Sequence, residues 1–591
     1  MDTRTIGSRS AIVAALLAAF LALALWHSTP AKAAEFTVDD GDVAGLKTAI
    51  NAANSNGEAN TIRLAANGTY TLTAVDNTET TGNGIAFNGL PMLTTEISIV
   101  GNGATIQRSD AEGTPAFRIL RVSDDGNLTL EGTTISGGDS GNRDGGGGIF
   151  SRGILTVSDS TFSQNTGADG GGIQNVFGEI EVSDSTFTGN TANRQGGSGE
   201  GGAIHTFARD IVISGSTFSE NSASLNGGAV YHDSSDGSVS GSGSTFSENS
   251  AGRNGGGIYH QRGALTVSGS TFSGNTANGE FDFQGGGIFA ENEGLTDGSG
   301  IPIEDPEDRT TITNSTFTGN EATGTDGASG GAIQNTFGLT EINFSTITTN
   351  TAQSGGGGVA SGGGDSTATR ISSSIVVGNS SDVDNMDGTR PYESGGSNLI
   401  GDGERAADFD GTEDRTGVTV AEAFGTESPS LEDNGGPTKT LALEDGAEAI
   451  NAANPNAFPA TDQRGVKRPQ GDAPDVGAFE VEVDLAVIEP RLTFGGKPST
   501  IYQPRNVMRM GKLIAPPEYS VANRRIVLFS RTEGTRFTPI RATTTDANGR
   551  YEFRGLRPRV DTFYLARYVG NPDEGLRATG SPVRKVNVRI N

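Results

Sequence analysis

Three of the four histidines, His205, His232 and His260, recur at nearly regular spacing, and imidazole is the first side chain to test for metal binding or proton transfer. Each stands near a Gly-Gly-(Ala/Gly)-(Ile/Val) element, but not at the same place. His205 directly follows Ile204, whereas His232 and His260 sit behind Tyr231 and Tyr259. On an extended strand successive side chains point to opposite faces, so the three cannot share one face. His232 and His260 lack an evident third ligand and read as ladder residues. The position that His205 shares runs Phe150, Gln174, His205, Tyr231, Tyr259, Phe289, Gln334 and Ala360. With the preceding Ile or Val pointing inward, these residues form an exposed stripe. Aromatic faces stack on sugar rings, which makes His205, Tyr231, Tyr259 and Phe289 the candidate ligand-binding residues. The competing reading is a solvated strand whose aromatics merely favour β structure.

A second chemistry is offered by the acidic stretch from Gly279 to Arg309, the one large break in the pattern. A polysaccharide lyase needs a cation, commonly calcium held by carboxylates, to neutralise an acidic substrate. Asp297, Glu304, Asp305 and Asp308 are the candidate Ca2+ ligands. No pair of carboxylates has a spacing that sets a glycosidase geometry, and no motif ties Arg309 to catalysis. No cofactor is called for.

These residues are positioned by a repeat. The glycine element ends at Ile149, Ile173, Ile204, Val230, Ile258, Ile288, Ile333 and Val359, and a Thr/Val-rich strand follows each. Next comes Ser-Thr-Phe-x-x-Asn or a variant, centred on Phe162, Phe187, Phe218, Phe246, Phe272, Phe317, Ile347 and Val376. Three residues later stand Asn165, Asn190, Asn221, Asn249, Asn275, Asn320, Asn350 and Asn379. The central position recurs every 25 to 31 residues, with one interval of 45 that contains the acidic stretch. That period, with alternating β-branched residues and glycine turns, predicts coils of parallel strands stacked about 4.8 Å apart. Eleven or twelve coils are expected. The asparagines are expected to bridge coil to coil, since an amide both donates and accepts and tolerates turn geometry.

Arg4 and Arg9, the apolar run Ala11–Trp26 and Ala31-Lys32-Ala33 read as a signal peptide, because the run is shorter than the about 20 residues a membrane span needs. After cleavage no integral membrane segment is expected. The 591 residues include 89 glycines and no cysteine, so thiol catalysis and disulfides are excluded. From Asp484 onward 19 Lys and Arg face 9 Asp and Glu, whereas the preceding chain has 23 against 62. The acidic part would repel nucleic acid and anionic membranes.

Gly-Gly-Ala-Ile paired with Phe-x-x-Asn resembles the repeats of polymorphic membrane proteins and related right-handed β-helix surface proteins. The stretch from Thr37 to Asn54 resembles the CSLREA-type segment that opens many such chains, although its cysteine is missing. Leu46, Ala49, Ile50 and Ala53 fall at helical spacing there, which predicts an amphipathic helix closing the first coil. Asn398–Gly401, Asp433–Thr438, Asp462–Gly465, Arg468-Pro469 and Asp475–Glu480 resemble a choice-of-anchor Q domain. Asp546-Ala547-Asn548-Gly549 between strand-like runs resembles carboxypeptidase-regulatory or transthyretin-like β-sandwiches. The expected organisation is therefore a signal peptide at 1–33, an N-terminal cap at 34–60, a right-handed parallel β-helix at 61–380, a choice-of-anchor Q-like terminating region at 381–483 and a basic β-sandwich at 484–591. This implies a secreted, extracellular or cell-surface protein without catalytic function, serving adhesion or attachment through extracellular glycans or cell-envelope polymers. The rival is a calcium-assisted lyase or glycosidase acting on an acidic polysaccharide.

Overall fold

The computed structural model describes residues 33–482 and 491–589, apart from 82–83, 142–144, 195, 197, 208–209, 235–236, 280–283, 292–308, 325–326, 363–366, 386–391, 495–498, 503–506, 516–519, 571–577 and 582. The expected signal peptide, apart from Ala33, lies outside the described residues. The chain divides into two compact units, residues 1–481 and 482–591.

The first unit is a parallel β-solenoid. A typical coil contains four short strands, such as Ile258–Gln261, Ala264–Ser268, Thr271–Ser273 and Thr276–Gly279. Each pairs in parallel with its equivalent one coil on, Ile258 with Ile288, Leu265 with Thr310, Phe272 with Phe317 and Ala277 with Ala322. The pairing of Phe272 with Phe317 spans the long interval without a register slip, and the strand Ile288–Glu291 inside that interval keeps its place in its own ladder. The ladder that carries the Ile/Val positions has ten strands, from Leu120–Val122 to Val383–Asn385. That makes about ten turns instead of the eleven or twelve expected.

Inside the coils six phenylalanines, from Phe162 to Phe317, stack with centroids 4.6 to 4.9 Å apart and planes within 6° of parallel. The asparagines form a hydrogen-bonded thread beside them. Asn190 Nδ2 donates to Asn221 Oδ1 and to the Phe162 carbonyl, both at 2.9 Å. Its Oδ1 accepts from the Asn165 backbone N–H at 3.2 Å and from Asn165 Nδ2 at 3.0 Å. Every polar atom of a fully buried amide is thus satisfied, the condition for placing one in a core. The thread ends on Asp382, whose Oδ1 accepts from the Asn379 N–H at 2.9 Å and from its Nδ2 at 2.7 Å. An acceptor-only carboxylate suits a last rung that has nothing to donate to. The turn geometry falls one residue earlier than the repeat suggests: Gln164, Gly189, Glu220, Glu248, Gly274, Gly319, Thr349 and Gly378 are left-handed, while the asparagines are not.

The helix Val43–Asn56 is N-capped by Asp42, which accepts from the Gly45 N–H at 2.8 Å, and ends at left-handed Gly57. Its buried residues are Leu46, Ala49, Ile50 and Ala53, and they join the solenoid core. After the last coils the chain runs back along the solenoid. Gly477 N–H donates to the Ser373 carbonyl, Ala478 N–H to Thr346 Oγ1 and Thr316 Oγ1 to Gln463 Oε1, and Thr438 Oγ1 reaches the Gly269 carbonyl. Arg468 anchors this segment. It pairs with Glu480 at 3.1 Å, donates to the carbonyls of Asp475 and Gly477 at 2.6 Å, and lies over the Phe344 ring. Phe344 has φ of 46°, a strained conformation for a bulky residue, and it is buried in the core under this segment.

The second unit contains an antiparallel sheet of Arg491–Phe494, Val507–Ile514 and Arg550–Leu556. A six-stranded sheet includes Ser499–Tyr502, Arg584–Arg589, Thr562–Tyr568, Arg525–Thr532 and Thr538–Thr544. Leu492, Leu513, Tyr551 and Phe553 from one and Ile526, Leu528, Tyr564, Ala566 and Val586 from the other share one core. The Asp-Ala-Asn-Gly run is a tight turn in which Asp546 Oδ1 accepts from the Asn548 and Arg550 N–H groups, at 2.9 and 2.8 Å.

Candidate functional site

The ten-strand ladder brings His205, Tyr231, Tyr259 and Phe289 onto one line, with His205 beside Tyr231 and Tyr259 beside Phe289. Their rings stack at 4.9 to 5.2 Å with planes within 13° of parallel. The column is not the open stripe expected. His205 is 2% exposed, Tyr231 6%, Tyr259 5% and Phe289 3%. These side chains do point away from the coil interior, but each ring covers its neighbour's faces. Asp233 and Glu291 end their strands, and Tyr259 donates to Glu291 Oε2 at 2.7 Å. Burial, with carboxylates nearby, pushes both phenols far above the usual tyrosine range, Glu200 adding to the effect at Tyr231 and Glu291 at Tyr259. Ring faces in the middle of this column are unavailable to a sugar.

The column opens at its other end, around His205. A cleft of about 510 Å3 spans three coils, with Phe150, Gln174 and His205 at its base. One wall carries Asp169, Arg194 and Glu200 from the turns before the strands, and the other carries Val176 and Phe207 from the turns after them. Gln174 Nε2 lies 3.2 Å from His205 Nδ1, so the amide donates and His205 keeps its proton on Nε2. That N–H faces Glu200 Oε2 at 3.7 Å. Asp169 pairs with Arg194, and Glu200 Oε1 accepts from Asn226 Nδ2 at 3.1 Å. Phe207 stands edge-on to His205 at 4.7 Å and remains 40% exposed, offering ring surface at the rim. The base also explains one glycine: a Cβ on Gly145 would lie 1.8 Å from Gln174 Oε1. Carboxylates, an arginine, an imidazole N–H and an apolar rim together suit a ligand with several hydroxyl groups and a flat apolar face.

Of the four predicted ligand residues, only His205 lines this cleft. The residues missed are Asp169, Arg194, Glu200 and Phe207. They lie in turns of unequal length, where no periodicity marks them; the one available signal was their nearness in sequence to the Gly-Gly elements. The predicted calcium ligands Asp297, Glu304, Asp305 and Asp308 lie outside the described residues. Among the described residues no group of three or more His, Asp or Glu side chains is placed to hold a metal ion.

His232 and His260 occupy the next register position, fully buried and stacked at 5.1 Å, apart from His205 as the spacing required. His260 Nε2 donates to the Gly263 carbonyl at 3.0 Å, which leaves its Nδ1 to accept from His232 Nδ1 at 3.2 Å. Burial pulls His260 down to about 4, partly offset by that carbonyl. A proton on its Nδ1 would also oppose the His232 N–H. The pair is a buried structural rung.

Among the described residues no helix is long and apolar enough to cross a membrane. Residues 184–206, 215–233 and 243–261 match the Chlamydia polymorphic membrane protein repeat. No curated protein and no solved structure matches the chain. Glu200 and His205 fall within the first matched segment, so the cleft is built partly from a repeat similar to those of that family.

Proposed function

We propose that the chain is a secreted, surface-displayed right-handed β-helix that attaches its bearer to glycans without catalysis, and that the cleft at His205 is where a glycan binds. The observation that carries this reading is the cleft itself, a mixed polar and aromatic opening in an otherwise sealed column, lying on repeats similar to those of surface proteins. In this reading the helix Val43–Asn56 caps the first coil, where an open end would expose core and unpaired backbone. The returning segment around Arg468 acts as the choice-of-anchor Q-like terminator, and the second unit as a β-sandwich that presents or tethers the rod.

The test is a panel of neutral and acidic oligosaccharides scored for retention and for product release, with and without chelator. The expected result is retention of a neutral oligosaccharide without cleavage, unaffected by chelator and weakened about tenfold or more by Glu200→Gln or Phe207→Ala. Chelator-sensitive cleavage would replace this reading with the calcium-assisted enzyme. Retention that is identical in both variants would remove the cleft from it.

A further inference from the structure

The two units carry opposite charge, with an excess of ten cations over anions from Asp484 onward against a strongly acidic solenoid. A polyanion is repelled by the first and drawn to the second. Within the second unit one face concentrates cations on aromatic rings. The strand Arg525–Thr532 buries Ile526 and Leu528 and turns Arg525, Val527, Phe529 and Arg531 to the other side. On the neighbouring strand Thr562–Tyr568, Phe563, Leu565 and Arg567 point the same way. Arg531 pairs across the sheet with Phe563, and Phe563 in turn with Lys585. The Arg531 guanidinium lies 4.8 Å from the Phe563 ring and 5.1 Å from that of Phe537, and Lys585 Nζ lies 5.3 Å from Phe563.

This arrangement does more than bury a charge. Stacking occupies the flat faces of a guanidinium and leaves its N–H edge for in-plane, forked contact with a carboxylate or sulfate. Arg531 Nε is shielded from solvent and has no hydrogen-bond partner among the described residues, so the anion contact falls to the terminal N–H groups. Lys585 shares Asp561 at 3.1 Å, an exposed pair of the kind that contributes little and exchanges readily. Arg531 and Lys585 sit on strands either side of Phe563, about 10 Å apart at two strand spacings, comparable to a disaccharide. Acidic groups on alternate sugars would each meet one cation, and the phenyl between them holds both cations in place. The cations are sparse and mixed with Asp561 and Glu533, whereas duplex nucleic acid, with a charge about every 1.7 Å, calls for a denser array.

We propose that this outer face of the six-stranded sheet binds an acidic polysaccharide through uronate or sulfate groups, with Arg531 and Lys585 as anion contacts and Phe563 as the ring that positions them. The site is independent of the cleft in the solenoid. The full-length protein should be retained by immobilised dextran sulfate and by polygalacturonate, released by moderate NaCl, and pass through neutral dextran. Replacing both cations, Arg531→Gln with Lys585→Gln, should weaken retention about tenfold or more, and Arg531→Lys should weaken it by less, since charge survives but the planar fork does not. The solenoid variants Glu200→Gln and Phe207→Ala should leave acidic-polymer retention unchanged, which separates failure here from failure of the cleft. If the double variant melts early, Arg525→Gln with Arg567→Gln tests the same face at exposed positions. Unchanged retention by a folded double variant would overturn the proposal, and so would tighter binding of duplex DNA than of dextran sulfate at equal salt.

Discussion

Two columns of stacked rings run through the solenoid, and they differ in nearly everything except spacing. The inner one repeats phenylalanine six times with a matching asparagine thread. The outer one changes from Phe150 through Gln174 and His205 to Tyr231, Tyr259 and Phe289. Inside the coils the Phe and Asn positions mostly meet copies of themselves above and below, so one solution serves many levels. Outside, the surroundings are set by turns whose length varies from coil to coil, and each level finds its own partner. Strict repetition therefore marks the scaffold, and the place where repetition fails, around His205, marks the opening.

The contrast can be tested by truncation, starting with the inner column. Phe246→Ala should cost about 3–5 kcal/mol, read as a lowered denaturation midpoint with hydrogen exchange concentrated in the adjoining coils. Asn249→Ala should follow at about 2–4 kcal/mol, because it orphans the Asn221 amide and the Phe218 carbonyl, which a phenylalanine truncation does not do. His260, one residue along the strand from the outer column, gives a pH signature. Its folded pKa of about 4 lies below the unfolded 6.5, so its stabilisation is complete above pH 6.5 and is lost as pH falls toward 4. Unfolding free energies from denaturant titrations at pH 6.5 and 5 should differ by about 2 kcal/mol from this group, and His260→Gln should flatten that limb. In the outer column Tyr259→Phe, which removes one hydrogen bond to Glu291 and keeps the stack, should cost only about 1 kcal/mol by thermal melting. An outer-column loss equal to that of Phe246 would break the distinction.

Much of the solenoid could be read before the structure, because the Phe and Asn spacing states the coil register directly. The helix Val43–Asn56 followed from Leu46, Ala49, Ile50 and Ala53, and the offset of His205 from His232 and His260 followed from strand alternation. Exposure could not be read the same way. Alternation says which side of a strand a residue occupies, but whether that side meets water depends on what packs there, and stacking with neighbouring rings buries Tyr231 and Tyr259. The cleft walls Asp169, Arg194 and Glu200 come from such turns, which carry no period. The role of Arg468 was also hidden, since its partners Phe344 and Glu480 become neighbours only after the chain reverses along the coils.

The asparagine thread has a consequence for how this kind of chain can change over generations. Each rung hands its amide proton to the next in one direction, so every internal coil presents the same donor below and the same acceptor above. A coil duplicated or deleted whole by unequal recombination would find its joins already matched, and the rod could lengthen or shorten without retuning its neighbours. Asp382 is exempt from that freedom, because a carboxylate can receive the last proton but has none to pass on. Length is thus open to drift from within, while the end must be inherited intact.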